Sequence, residues 1–498
     1  MTRLIVVAVI LLYFFHLGLN AVWMPNEAFY ADGARNMLET GDLLTPVYNG
    51  EVRLNKPPLT YWLSAAGFLL LGLNEWGLRL FHALLGLLTG FLTYRTALLL
   101  GLSREAASLS FLALTLSFLF FANARYASPE VPLTFFITLS LYLWLTYFRQ
   151  NRPLNFWLAM LASSLAVLTK GPVGFLLPAF VVFVYLLLEK PKELLKLRYY
   201  AGTLLVVLTS GWWFLYQYLA HREEFLRIFV KENFKRIYAL QSDPVYQYLL
   251  DVNVSFLPYS FLVFPAVFYA FKRRELRFPL VWTLAVFGTF SLIKMKIPVY
   301  VMPAYPALAL LVAAFLSDGP GRLWRYGLYF LWGLHLAAVL AVFLGLVKSY
   351  LFLAVSVTAL AAGLSLRRAE LLPAFGGLAF LIYLTGAVLP FVETKRPYPE
   401  VGRAVLELDP QKRFKFYELG HFHHNLPFYA RRVVIRDAKP SEVKPPALVL
   451  YPKGLFTCRE VKGSWELYTR SESRFFKFLL DVKRNRNFKL YELCLKPS

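Results

Sequence analysis

The chain has 498 residues, a formal net charge of +23, and a composition that is 58% hydrophobic and only 17% charged. Its mean hydropathy is +0.51. A soluble domain carries about 25% charged residues, and many apolar runs here approach the roughly 20 residues that cross a bilayer. A soluble globular enzyme is therefore excluded, and a polytopic α-helical membrane protein is expected. The placement of the positive charge excludes nucleic acid as its explanation. It concentrates in short loops at alternate helix ends: Arg95 and Arg104; Arg149 and Arg152; Lys190, Lys192, Lys196 and Arg198; Lys272, Arg273, Arg274 and Arg277; Arg322 and Arg325; Arg367 and Arg368. The intervening turns carry only Lys170, Lys294, Lys296 and Lys348. This is the charge asymmetry of a chain whose cytoplasmic loops are the basic ones.

Hydropathy and loop charge place spans near 4–23, 77–101, 105–123, 131–148, 154–169, 172–189, 200–219, 254–271, 278–293, 298–317, 325–346, 349–366 and 371–391. The first is too long for a signal-peptide core and lacks a small-residue cleavage site, so it is expected to be retained. About thirteen spans with the N-terminus inside put the C-terminus outside. Two outer loops are long, 24–76 and 220–253. The first contains "PNEAFYADGARNMLETGDLLTP", in which Asn26 suits a helix cap, Glu27 its first turn and Gly41 its end. It continues through "LNKPPLTYW", where two prolines hold Lys56 on stiff, non-helical backbone. The stretch 59–73 and the charged, aromatic second loop are expected to be interfacial helices.

From about 392 the pattern changes to short helices and strands, with "PPALVLYPK", "SWELYTR" and "FKLYELCLK" as strands. The expected organisation is a membrane domain over 1–391 and a small extracytoplasmic α/β domain over 392–498. Cys458 and Cys494 both fall in the latter, either as a disulfide or as two buried thiols.

The polar residues expected at the outer face are Asn26, Glu27, Asp32, Arg35 and Lys56, then Arg125 and Glu130, Lys170, Asn233 and Arg236, and Lys294, Lys296 and Tyr300. Carboxylates among fixed cations at an apolar boundary point to an anionic lipid head group and a proton acceptor, since ionisable groups at membrane depth are costly and usually functional. "PNEAFYADGARNMLETGD…LNKPPLTYWL", "SPEVPLTFF", "LTKGPVGFLLP" and "KIPVYVMPAYPALALL" together resemble, in order, the ArnT/PMT-like (GT-C) family of polyprenyl-phosphate-sugar glycosyltransferases, across essentially the whole membrane region. "LPFYARRVV" extends the resemblance loosely into the C-terminal region.

The resemblance implies inverting, metal-independent sugar transfer at the outer face of the cytoplasmic membrane. The donor would be a polyprenyl-phosphate sugar and the acceptor a lipid A-like lipid, a glycan or a protein. No cofactor is expected. The family's acidic pair falls on Asn26 and Glu27, with Asn replacing the usual Asp. The family arginine two residues on is Phe29, the acid before the family lysine is Asn55, and the second acid, usually Asp, is Glu130. These departures point away from the aminoarabinose-specific branch. Glu27 is then the first candidate for the base and Glu130 the second, while Asn26 can hold a sugar hydroxyl. Lys56, Arg236, Lys296 and Tyr300 are expected at the donor phosphate, and Tyr30, Lys170, Asn233 and Lys294 at the substrate.

Plainer readings stand beside these. Glu27 and Glu130 also suit helix first turns, and the lysines also suit interfacial anchors. "GHFHHN" (420–425) lacks zinc-ligand spacing and is expected to be a solvated loop. A lipid-linked-sugar transporter or flippase would show repeats and midplane charges, and neither is visible. A catalytically inactive relative that binds lipid-linked sugar is the remaining alternative, prompted by the missing Asp at position 26.

Overall fold

The computed structural model describes residues 2–233, 242–318, 333 and 369–496. The spans expected at 325–346 and 349–366, and Arg236, lie outside the described residues. The first expected span is shorter than its apolar run. Helix α1 covers Thr2–Phe14 and the chain then leaves the helix. The freed carbonyls have arginine donors: Arg125 binds those of Leu12, Tyr13 and Phe15, and Arg79 those of Leu17 and Asn20. Two guanidinium groups thus take over backbone acceptors that a continued helix would have satisfied internally.

Helix α2 follows at Asn26–Thr40. Asn26 is its first residue and not its cap: Pro25 holds that position without a side-chain hydrogen bond. Gly41 closes the helix at φ 76°, the left-handed conformation that glycine adopts without penalty. A two-stranded ribbon, β1 (Val47–Tyr48) and β2 (Glu51–Val52), leads to the Pro57-Pro58 turn and α3 (Leu59–Leu71).

The bundle proper comprises α4 (Glu75–Leu99), α5 (Arg104–Thr115), α6 (Phe118–Ala124), α7 (Glu130–Gln150), α8 (Pro153–Lys170), α9 (Val173–Glu189) and α10 (Leu197–Asn233). It continues through α11 (Gln247–Ser255), α12 (Ser260–Ala270), α13 (Arg277–Ser291), α14 (Tyr305–Ser317), α15 (Leu372–Tyr383) and α16 (Leu389–Glu393). The pairs α7–α8, α5–α14, α3–α4 and α4–α5 pack closely. Among the described residues four helical stretches are long and apolar enough to cross a membrane, and a fifth if α5 and α6, bent by 67°, form one broken span. Several expected spans prove broken. The span expected at 105–123 divides into α5 and α6, residues 298–304 wind as a tighter helix before α14, and just past the span expected at 200–219 Arg222 leaves helical geometry inside α10 at φ 46°.

The C-terminal region has the expected mixed α/β character. Helices α17 (Tyr398–Leu408), α18 (Leu426–Ala430) and α19 (Phe475–Arg484) accompany a five-stranded sheet of order β4-β3-β5-β7-β6. Its strands are β3 (Lys415–Glu418), β4 (Val434–Ile435), β5 (Ala447–Pro452), β6 (Val461–Tyr468) and β7 (Phe488–Lys496). β3 pairs parallel to both β4 and β5, while β7 runs antiparallel to β5 and β6. The central β5 is buried from Ala447 to Tyr451, as an apolar run covered on both faces should be. Cys458 and Cys494 form a disulfide with Cα atoms 6.0 Å apart.

The His-containing loop is a correction. His423 is fully buried rather than solvated, with its ring against the Glu418 carboxylate and its Nε2 3.0 Å from the Tyr468 carbonyl. A buried carboxylate needs a partner, and the loop after β3 turns inward to supply one.

Candidate active site

The segment 17–27 is locked before it delivers α2. Arg79, from α4, donates Nε to Glu27 Oε1 at 2.8 Å and Nη2 to Glu27 Oε2 at 2.7 Å. The Ala127 and Trp23 amides donate to the same two oxygens, each at 2.9 Å. A carboxylate with four donors, fully buried, has no lone pair left for a substrate proton. Glu27 is therefore a frame residue in this arrangement. A second clamp reinforces the frame. Arg396 forks onto Glu472 at 2.9 and 2.8 Å, donates to the Ala21 and Val22 carbonyls, and lies 3.9 Å over the Trp23 ring. It fastens the C-terminal region to the loop from which α2 starts.

Glu130 opens α7. Its Oε1 accepts from Lys170 Nζ at 2.9 Å, while Oε2 is buried with no hydrogen-bond partner among the described residues. The Ser128 hydroxyl lies beside this carboxylate but outside hydrogen-bond geometry. Lys170 ends α8, and its ammonium sits 4.9 Å from the Tyr300 ring centroid. Gly171 makes that position reachable: at φ 90° it reverses the chain immediately after Lys170. Gly174 lets α9 return against α8, since a Cβ there would fall 2.2 Å from the Ala166 carbonyl carbon. The expected residues Glu130, Lys170 and Tyr300 thus converge from three separate elements.

Tyr30, on α2, extends this cluster. Burial pushes its hydroxyl well above the ordinary tyrosine range. Tyr61 and Glu130 add to the rise, and Arg53 opposes it. Arg53 is a residue that the sequence reading does not single out. It lies 4.1 Å over the Phe29 ring and 5.6 Å from that of Tyr30, and donates to the Tyr61 hydroxyl at 2.7 Å.

Lys56 is held on its Pro-Pro turn, as expected, and binds Glu232 Oε2 of α10 at 2.8 Å. Asn55 donates to the other oxygen at 3.2 Å. Lys296 is tied differently. Its amide donates to Asp243 Oδ2 at 2.8 Å and its ammonium to the Ile293 and Asp243 carbonyls at 2.7 and 3.1 Å. The Lys294 carbonyl accepts from the Asp243 amide at 2.9 Å. Lys294 and Lys296 so belong to a loop pinned by the second outer loop, just ahead of Tyr300 in the chain. Asn26 is exposed, and its side chain makes no hydrogen bond among the described residues. The backbone of Asn233 ends α10, and its side chain is outside the description.

An apolar groove of about 360 Å³ runs between α8, α9 and α10, lined by Val167, Pro172, Phe175, Val206, Phe225 and Phe229 among others. Val167 and Pro172 flank Lys170 in sequence, and Phe229 lies one helical turn before Glu232, the partner of Lys56. The groove is a surface suited to an aliphatic chain, built in part by the residues that flank Lys170. No cluster of three His, Cys, Asp or Glu side chains fit to hold a metal occurs among the described residues.

Comparison with known proteins bears on this arrangement. Residues 1–226 match the family model described as dolichyl-phosphate-mannose-protein mannosyltransferase. An undecaprenyl phosphate-alpha-4-amino-4-deoxy-L-arabinose arabinosyl transferase of Pseudomonas fluorescens is 31% identical over 63% of this chain and 59% of its own length. The crystal structure of ArnT from Cupriavidus metallidurans bound to undecaprenyl phosphate superposes with a TM-score of 0.79, at 21% identity, over 99% of this chain and 97% of that one. The chain thus resembles the ArnT/PMT-like family of GT-C membrane glycosyltransferases, in sequence over its first 226 residues and in fold over nearly its whole length. An uncharacterised relative from Aquifex aeolicus is 61% identical over 99% of this chain and 98% of its own. The chain spans about three-fifths of the curated arabinosyl transferase it matches. The wider GT-C fold is visible in the oligosaccharyltransferase of Archaeoglobus fulgidus, with a TM-score of 0.54 at 12% identity, over 91% of this chain and 69% of that one. With this fold and its long apolar helices, the chain is a multi-pass membrane protein.

Proposed function

We propose that this glycosyltransferase moves a sugar from a polyprenyl-phosphate donor to an envelope acceptor (a lipid, a glycan or a protein) at the outer face of the cytoplasmic membrane. The observation that carries this reading is the Glu130–Lys170–Tyr300 cluster, with an apolar groove lined by the residues that flank Lys170 in the chain. The groove takes the prenyl chain. Lys56 and Lys170 receive the phosphate, and the buried Glu130 carboxylate lies beside Lys170.

The reaction is a single displacement. An acceptor oxygen attacks the anomeric carbon, the bond from that carbon to the phosphate oxygen breaks, and polyprenyl phosphate leaves with the electron pair. The anomeric configuration inverts. Glu130 Oε2 takes the acceptor proton, while the ion pair with Lys170 fixes the direction in which Glu130 points. Lys56 exchanges Glu232 for the leaving phosphate, and Tyr300 adds a hydroxyl donor. Fixed cations in a site shielded from water stabilise such growing charge most effectively. Lys296 supports the same end of the site by holding its loop closed on Asp243. Glu27 and Arg79 hold α2, and with it Asn26 and Tyr30, at the edge of the sugar site.

The reading is tested in lipid nanodiscs with a polyprenyl phosphate carrying a labelled sugar, in the presence of an envelope extract. Release of polyprenyl phosphate that disappears in Glu130→Gln is expected. Equal release by the variant would remove Glu130 from the chemistry, and no release by the wild type would remove the transferase reading.

A further inference from the structure

The cations around this site differ in one respect. Arg79 has Glu27, Arg35 has Asp32, Lys56 has Glu232 and Lys170 has Glu130. Arg125 spends its guanidinium on three backbone carbonyls. Arg53 has neither. Its neighbours are the face of Phe29, the rim of Tyr30 and the hydroxyl of Tyr61, with no carboxylate partner among the described residues. It is half-buried, and the aromatic wall continues through Phe29 to Tyr48 and His424. A desolvated guanidinium is compensated best by an anion. An aromatic face attracts it more weakly, and tyrosine hydroxyls leave most of its five N–H donors unspent.

The position of Arg53 separates it from the lipid phosphate. The groove is lined by residues that flank Lys170 in the chain, whereas Arg53 lies over Phe29, which meets His424 of the C-terminal region. Between the two lies Tyr30, which feels both Arg53 and Glu130. A sugar whose anomeric carbon sits by Glu130 would lay its ring along Tyr30 and present its far end to Arg53.

We infer that Arg53 selects a donor sugar bearing a carboxylate, a hexuronate rather than a neutral or amino sugar, by forking onto that carboxylate while the ring rests against the Phe29–Tyr30 wall. The inference rests on the proposed function and names the class of sugar. Planar two-point recognition of carboxylate is what a guanidinium does best, and the Phe29 face holds it in plane.

Three probes decide the matter in nanodiscs: bare polyprenyl phosphate, the lipid carrying a hexose, and the lipid carrying a hexuronate. The wild type is expected to bind the hexuronate lipid about 10- to 100-fold more tightly than the hexose lipid, the range of a hydrogen-bonded charge. Arg53→Gln should erase that preference while leaving bare polyprenyl phosphate bound as before, and Arg53→Lys should restore part of it. Equal binding of both sugars by the wild type overturns the inference. So does an Arg53→Gln variant that weakens all three lipids alike, which would make Arg53 a phosphate or scaffold residue. Should Arg53→Gln fail to fold, the wild-type preference and the lysine variant decide alone. If the wild type binds none of the three lipids, the transferase reading itself fails and this inference with it.

Discussion

Two carboxylates at one end of the bundle have opposite surroundings. Glu27 is saturated: a forked arginine and two amides occupy both oxygens. Glu130 has one lysine on one oxygen and, among the described residues, no hydrogen bond on the other. Both are buried and both open a helix, so neither burial nor helix position distinguishes them. What does is the count of donors. A carboxylate that has spent its lone pairs holds the chain in place, and one that has kept a lone pair can accept a proton. The same contrast separates the lysines and arginines of the site, of which Arg53 has neither an acid nor a backbone carbonyl as partner among the described residues.

The sharpest way to break this comparison is at Glu130. Glu130→Gln keeps shape and size but removes the base, and single-turnover release of polyprenyl phosphate should fall about 10²- to 10⁴-fold, with the melting temperature nearly unchanged. Glu27→Ala should do the reverse. It strands Arg79 in the interior, and breaking a buried pair in this way costs about 3–5 kcal/mol. The expected result is a lower melting temperature, with the activity of each folded molecule largely kept. The double variant Glu27→Leu, Arg79→Met should recover much of the loss, since apolar replacement of both partners leaves no uncompensated charge. If Glu27→Gln abolished release without destabilising the protein, the division between the two acids would be wrong.

A smaller effect is expected at Lys56. Lys56→Ala removes a phosphate contact and should weaken donor binding by about 10-fold. Glu232→Gln releases Lys56 from its resting partner, and donor binding should then tighten a few-fold. Titration with bare polyprenyl phosphate measures both. The sequence made Lys56 legible because two prolines announce a fixed backbone, and "TKGPVG" and "KIPVY" marked the turns that bring Lys170 and Tyr300 to Glu130. The C-terminal strands were legible from their alternation. The partners were not. Glu27 finds Arg79 across 52 residues and Lys56 finds Glu232 across 176, and no local pattern encodes a pair that only helix packing creates. Arg53 was missed for a related reason: it looks like one more loop arginine until Phe29 and Tyr61 are seen around it. Asn26 looked like a cap because its residue type favours that place, whereas Pro25 occupies it.

The smallest effect expected lies in the loop placed in solvent by its polarity. His424 stands against Tyr48, whose hydroxyl is 3.0 Å from its Nδ1 and donates to its carbonyl at 3.0 Å. Burial, with Arg436 and His423 beside it, pushes its pKa down to about 4. Burial and the neighbouring His423 and His424 do the same to His421. A histidine held neutral in the folded state takes its proton only on unfolding. The stability it protects is therefore fully present above about pH 6.5, the ordinary histidine value, and is lost progressively as the pH falls towards 4. Both rings are partly open to solvent, which trims the effect. The melting temperature should decline across that window, and His424→Phe, which keeps the ring but cannot take a proton, should flatten the decline by roughly 2 °C. A decline of unchanged depth in the variant would assign it to other groups, and a melting temperature that rose on acidification would contradict the burial of these rings. Because His424 contacts both Tyr48 and Phe29, the same titration also reports whether the C-terminal region keeps the aromatic wall beside Arg53 in place.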